Sequence, residues 1–107
     1  MRCGEVWAVS SAGYAGKPRP AVIVQDDRFD ATASITICAF TTDETEAPLF
    51  HLPITPSDRN GLRSVSRLMV DKLTTVTKVR LGERMGRLDD EDVVRLNREI
   101  LVFLGLA

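Results

Sequence analysis

Arg19 stands between Pro18 and Pro20, directly before the apolar run Ala21-Val22-Ile23-Val24. Each proline restricts its own backbone, so the arginine is presented from a stiffened approach to a buried strand. A guanidinium is a fixed fork of N–H donors that matches a phosphate and stays charged across the working pH range. It stabilises negative charge well and removes protons poorly. Thr41 and Thr42, at the end of another apolar strand, supply hydroxyls. A cation aimed where charge grows on a phosphodiester, with a hydroxyl bonded to a non-bridging oxygen, suits attack by a nucleophile the substrate already carries. RNA has one in its own 2′-OH. The same residues admit a structural reading, in which Arg19 pairs with Asp26, Asp27 or Asp71 and the threonines cap a strand end.

The other reactive side chains form no comparable group. Cys3 and Cys38 lack Cys-x-x-Cys spacing and His51 is the sole histidine, so neither a metal site nor a metal cofactor is expected. Cys38 lies inside an alternating apolar strand, where a small buried thiol is the ordinary reading, and His51, beside Leu52 and Pro53, reads as a surface or partly packed imidazole. There is no Gly-rich phosphate loop, helical His pair or nucleophile elbow.

The elements that must hold Arg19 and the threonines read as strands. Glu5–Val9 is a first strand, followed by a Gly- and Ser-rich loop to Lys17. Ala21–Val24, apolar throughout, fits a central strand covered on both faces, with Pro20 at its start because proline has no N–H for a ladder. Ser34–Thr41 alternates with period two. Thr41 shares odd numbering with Ile35, Ile37 and Ala39 and would point inward in an unbroken strand, so its release requires a bulge or strand end at Phe40. Phe50–Ile54 and Val65–Val70 flank the turn Thr55–Gly61, and a short piece at Leu73–Val76 and a strand at Arg84–Leu88 follow.

From residue 89 the period becomes helical. Val93, Leu96, Ile100, Phe103 and Leu104 share one side, flanked by Val94 and Leu101. Asp89 is placed to cap the helix, Asp90, Glu91 and Asp92 suit the positive end of its dipole, Leu88 can staple to Val93, and Gly105 stops it. The 107 residues suffice for a single domain over 1–107. Many short strands before one helix indicate a mainly β fold with a C-terminal α-helix, a small bent barrel. Net charge is −1, so no global positive field draws the chain to a polyanion, although residues 1–88 hold twelve bases against ten acids. With no signal-like start and no long apolar run, the expected place is the cytoplasm, with reduced thiols and no membrane span.

Four stretches together resemble the MazF/PemK (Kid) family of toxin–antitoxin ribonucleases. They are Arg2–Trp7, Lys17–Asp27, Ile35–Thr41, and the second half comprising Met69–Val76 and Lys78–Leu88 before the helix. The resemblance implies an SH3-like β-barrel shared with CcdB-like toxins, a homodimer, and a cognate MazE-like antitoxin. It also implies metal-independent, sequence-specific cleavage of single-stranded RNA, leaving a 2′,3′-cyclic phosphate and a 5′-hydroxyl. By the same resemblance Arg19 is the catalytic arginine, Thr41 the phosphate-holding threonine with Thr42 as its neighbour, and Asp71 an acid near the cleavage site. Tyr14, Lys17, Thr42 and Lys72 fall at RNA-binding positions, Tyr14 being suited to stacking an unpaired base. Two departures alter the groove: the first loop is shorter than in many members, and Lys72-Leu73-Thr74 stands where an arginine is often found. The same barrel also serves non-catalytic gyrase binders and would serve a non-cutting RNA-binding module, which remain alternatives.

Overall fold

A computed structural model describes residues 1–10, 18–43 and 50–107. Its strands are β1 (Glu5–Val9), β2 (Arg19–Ile23), β3 (Ser34–Thr41), β4 (His51–Ile54), β5 (Ser66–Met69), β6 (Thr74–Thr77) and β7 (Leu81–Arg87), and one helix, α1 (Asp90–Phe103), follows. The strands run in the order β4-β5-β3-β2-β1-β7, with β6 also paired to β3. Every pairing is antiparallel. The ends of this bent sheet are not joined by a ladder, yet the Arg87 N–H donates to the Arg59 carbonyl at 2.8 Å, tying β7 to the loop between β4 and β5. The architecture is barrel-like.

β3 is the hub. One edge pairs with β2, and the other is shared by β6 along Ser34–Ile37 and by β5 at Phe40 and Thr41. Its alternation explains why: Cys38 and Phe40 enter the larger core cluster with Val6, Val22, Leu52, Ile54, Leu68 and Leu96, while Ile35 and Ile37 join Ala21 and Ile23 in a second cluster. Both faces of the strand are therefore apolar and covered.

Pro20 lies inside β2 rather than before it, opposite Ala8, and the strand begins one residue earlier at Arg19, opposite Val9. β7 begins at Leu81, three residues before the expected Arg84, because the 3-10 turn at Lys78–Arg80 delivers the chain straight into it. In α1, Leu96 is buried, and Val93 and Ile100 pack on the larger cluster. A buried leucine of this kind is worth roughly 2–5 kcal/mol against alanine. Phe103 and Leu104 do not join the core and are both about half exposed. Asp89 occupies the N-cap position without capping through its side chain, since its carboxylate lies 3.5 Å from Arg59; its carbonyl accepts the Val93 N–H instead. No helix among the described residues is long and apolar enough to cross a membrane.

Candidate active site

Arg19 and Thr41 come together across the β2–β3 ladder. The register pairs Ile23 with Ile37 and Ala21 with Ala39. Two residues further along, Arg19 is level with Thr41, on the same sheet face because side chains two apart share a face. The bulge expected at Phe40 is absent, as β3 runs unbroken to Thr41, which still pairs with Arg67 of β5. Thr41 is released differently. The apolar cluster on its face ends at half-buried Ala39, so the next residue on that face sits at an open rim, half-buried.

A pocket of about 300 Å³ opens there, lined by Arg19, Pro20, Phe40, Thr41, Thr42 and Ser66. The Arg19 side chain is exposed and has no hydrogen-bond or ion-pair partner among the described residues. Two of the acids that might have neutralised it are engaged elsewhere, Asp26 with Arg28 at 3.1 Å and Asp27 with Arg2 at 3.4 Å and the Cys3 N–H at 2.7 Å, while Asp71 has its Oδ1 buried 3.7 Å from His51 Nε2 with no hydrogen bond among the described residues. The Thr41 hydroxyl accepts the Asp43 N–H at 3.1 Å, which fixes its oxygen and leaves its proton available to a ligand. Thr42 is exposed at the pocket edge, so both threonines belong to the site.

The structure does not bring Asp71 or Lys72 to this pocket. Both lie in a 3-10 turn, Val70–Lys72, that follows β5, and neither lines the pocket or the cleft beside it. Asp71 is half-buried against His51, itself packed edge-on against Phe50. The turn carries Asp71 past the end of β5, beyond the level of Thr41. Tyr14 and Lys17 lie outside the described residues. Cys38 is fully buried, and burial, with Asp71 adding to it, pushes its thiol up to about 12, so it is no nucleophile at neutral pH. Cys3 is raised as well, by burial first and then by Asp27 and Asp26.

A second cleft, of about 660 Å³, shares Pro20, Thr42 and Ser66 with the pocket and extends between β7 and the loop before β5. Sequence reasoning took that loop only as a turn. Asn60, 2% exposed, organises it: its Oδ1 accepts the Ser57 and Leu62 N–H groups at 3.0 Å each, and its Nδ2 donates to the Thr55 carbonyl at 2.9 Å. The Asn60-Gly61 dipeptide was the available signal. Gly61 has φ +72°, and a Cβ there would lie 2.3 Å from the Met85 carbonyl oxygen.

Arg84 on the cleft wall is held by Glu5. Its Nε lies 2.7 Å from Glu5 Oε2, while Glu5 Oε1 accepts the Arg2 N–H at 2.6 Å and Trp7 Nε1–H at 3.2 Å. Burial alone would raise the Glu5 carboxyl. The Arg2 and Trp7 donors, Arg84 and the N-terminal ammonium outweigh it and hold it below the usual carboxylate range. A lowered folded value means that this contribution to stability is complete above the ordinary glutamate value of 4.5 and is lost as pH falls through the folded one. Glu5→Gln is expected to cost roughly 1.5–3 kcal/mol at neutral pH. Urea unfolding should show a smaller stability loss between neutral pH and about pH 3 in the variant than in the wild type; equal losses would contradict this.

The chain's relatives bear on what such a pocket does. The family described as "PemK-like, MazF-like toxin of type II toxin-antitoxin system" matches residues 2–104. The chain belongs to that family. Over 108 residues it is 53% identical to a probable endoribonuclease MazF of Mycolicibacterium smegmatis, covering 100% of this chain and 99% of the relative. Over 116 residues it is 26% identical to endoribonuclease MazF9 of Mycobacterium tuberculosis, covering 99% and 98%. A solved mycobacterial endoribonuclease in complex with its cognate antitoxin has the same fold, with a TM-score of 0.82 at 24% identity over 100% of this chain and 95% of that one. For this PemK-like, MazF-like chain the match includes Arg19, both threonines and the whole wall of the larger cleft.

Proposed function

We propose that this chain is a sequence-specific endoribonuclease toxin cutting single-stranded RNA in the Arg19–Thr41 pocket, without a metal ion. The observation that carries the reading is an exposed Arg19 side chain, unpartnered among the described residues, level with the Thr41 hydroxyl at one open rim. The substrate's 2′-oxygen attacks phosphorus, the bond to the 5′-oxygen breaks, and the two protons are exchanged with solvent. The products are a 2′,3′-cyclic phosphate and a 5′-hydroxyl. Arg19 stabilises the charge that grows on the phosphorane-like transition state, and Thr41 donates to a non-bridging oxygen, with Thr42 as a second hydroxyl. Tyr14 and Lys17 are assigned to RNA contact. Asp71 and Lys72, which do not line this pocket, are given no role in it.

The reading includes a cognate antitoxin whose acidic segment covers the site, which Arg19, Arg63 and Arg84 would attract. It includes a homodimer, for which the exposed Val94, Leu101, Val102, Phe103 and Leu104 of the terminal helix region supply apolar surface. The substrate places the activity in the cytoplasm. The test is cleavage of a mixed-sequence single-stranded RNA in excess chelator, followed by end analysis. Cut RNA with cyclic phosphate and 5′-hydroxyl ends is expected. A requirement for added metal overturns the mechanism, and uncut RNA with inhibited gyrase favours the non-catalytic binder.

A further inference from the structure

β7 is the irregular strand of the sheet, and its irregularity falls on the larger cleft. Its register against β1 slips between the Val6–Gly86 and Trp7–Arg84 pairs and again between Trp7–Arg84 and Val9–Leu81. Slips of this kind re-aim side chains that a regular pleat would send to alternate faces. Glu83, Arg84 and Met85 accordingly line the cleft together, three consecutive residues on one wall.

Their chemistry is mixed in a telling way. Arg84 is braced at Nε by Glu5, so its two terminal nitrogens remain as a donor pair of fixed geometry. Glu83 has no hydrogen-bond or ion-pair partner among the described residues and presents an acceptor. A carboxylate repels a backbone phosphate, whereas Leu62 and Met85 offer apolar surface to a flat ring. An unpaired base satisfies all three, and single-stranded RNA displays its base edges freely. The cleft shares Pro20, Thr42 and Ser66 with the Arg19 pocket, so the base it takes is adjacent to the scissile phosphate.

Resting on the endoribonuclease reading, we infer that this cleft selects guanine or cytosine at one position beside the cut, through Arg84 donating to two adjacent acceptors and Glu83 accepting from a neighbouring donor. Guanine carries O6 and N7 side by side with N–H donors on its next edge, and cytosine carries O2 and N3 beside its amino group. Adenine and uracil have no two adjacent acceptors with a donor alongside. Glu5 is a positioning residue in this scheme, acting through Arg84.

The experiment uses an RNA library randomised around a cleavable core, in chelator, with sequenced ends. Wild type is compared with Glu83→Ala, which removes the acceptor, and with Arg84→Lys, which keeps the charge beside Glu5 but loses the fork. Thermal melts confirm that each variant is folded. Wild type is expected to favour guanine or cytosine over adenine and uracil by about tenfold at one flanking position, the scale of a good bidentate contact. Each variant is expected to lose most of that preference while preferences elsewhere persist. Cleavage with no such preference, or with one unchanged in both variants, overturns the inference and leaves the nuclease reading intact. A wild type that leaves the whole library uncut overturns the nuclease reading and this one with it.

Discussion

Arg19→Ala is expected to lower the RNA cleavage rate by roughly a hundred- to a thousandfold, the cost of removing one preorganised charge stabiliser. The melting temperature should hardly move. The Arg19 side chain is exposed and makes no hydrogen bond or ion pair among the described residues, so truncating it breaks no polar contact of the fold. That separation of activity from stability is the useful part of the result. A general folding defect would lower both, whereas loss of transition-state stabilisation lowers the rate alone. Arg19→Lys discriminates further, since a lysine keeps the charge and loses the bidentate fork; it should fall between wild type and alanine. Rates for Arg19→Ala within a few fold of wild type would remove the arginine from the mechanism.

Gly86→Ala should damage both fold and activity. A Cβ at this position would lie 2.3 Å from the Arg59 carbonyl oxygen and 2.7 Å from the Asn60 carbonyl carbon, both backbone atoms that cannot swing aside. The neighbouring Arg87 N–H bonds that same Arg59 oxygen at 2.8 Å, so relief of the clash strains the tie that closes β7 onto the loop. Forcing extra volume into a packed site typically costs about 1–3 kcal/mol, and more where backbone must move. For a domain near this size that is a melting shift of several degrees, roughly 4–8 °C per kcal/mol. Gly82→Ala is the control on the same strand, because its Cβ would stand 3.5 Å from the nearest atom, the Ala8 carbonyl oxygen, in ordinary contact. Indistinguishable melting temperatures for the two variants would show that the loop gives way at little cost.

β1 and β3 were legible to the residue. A β-branched and aromatic run marked the first and alternation the second, and polar or Gly-rich segments bounded them. Arg19 was legible through its prolines, and Thr41 through its place at a strand end. The reason Thr41 is accessible was not: one strand's numbering shows a periodicity, but not that the apolar cluster on that face stops at Ala39. Asp71 was placed near the cleavage site by the family resemblance alone, and the turn at Val70–Lys72 keeps it off the lining of the Arg19–Thr41 pocket. Glu5 with Arg84, and Gly86 with Arg59, are contacts across 79 and 27 residues that exist only once the sheet has bent round. No local pattern announces them. Phe103 and Leu104 show the converse, since helical periodicity identifies an apolar side but not where the surface beneath it ends.

Because the strand that ends in Thr41 is also the one to which three others are hydrogen-bonded, the hydroxyl proposed to hold the phosphate has no mobility of its own to gain or lose. A lid or a tethered loop can relax and leave a protein standing; this rim cannot be disordered without dismantling the interior it grows from. Removing this rim calls for an external blocker or for opening the hub itself.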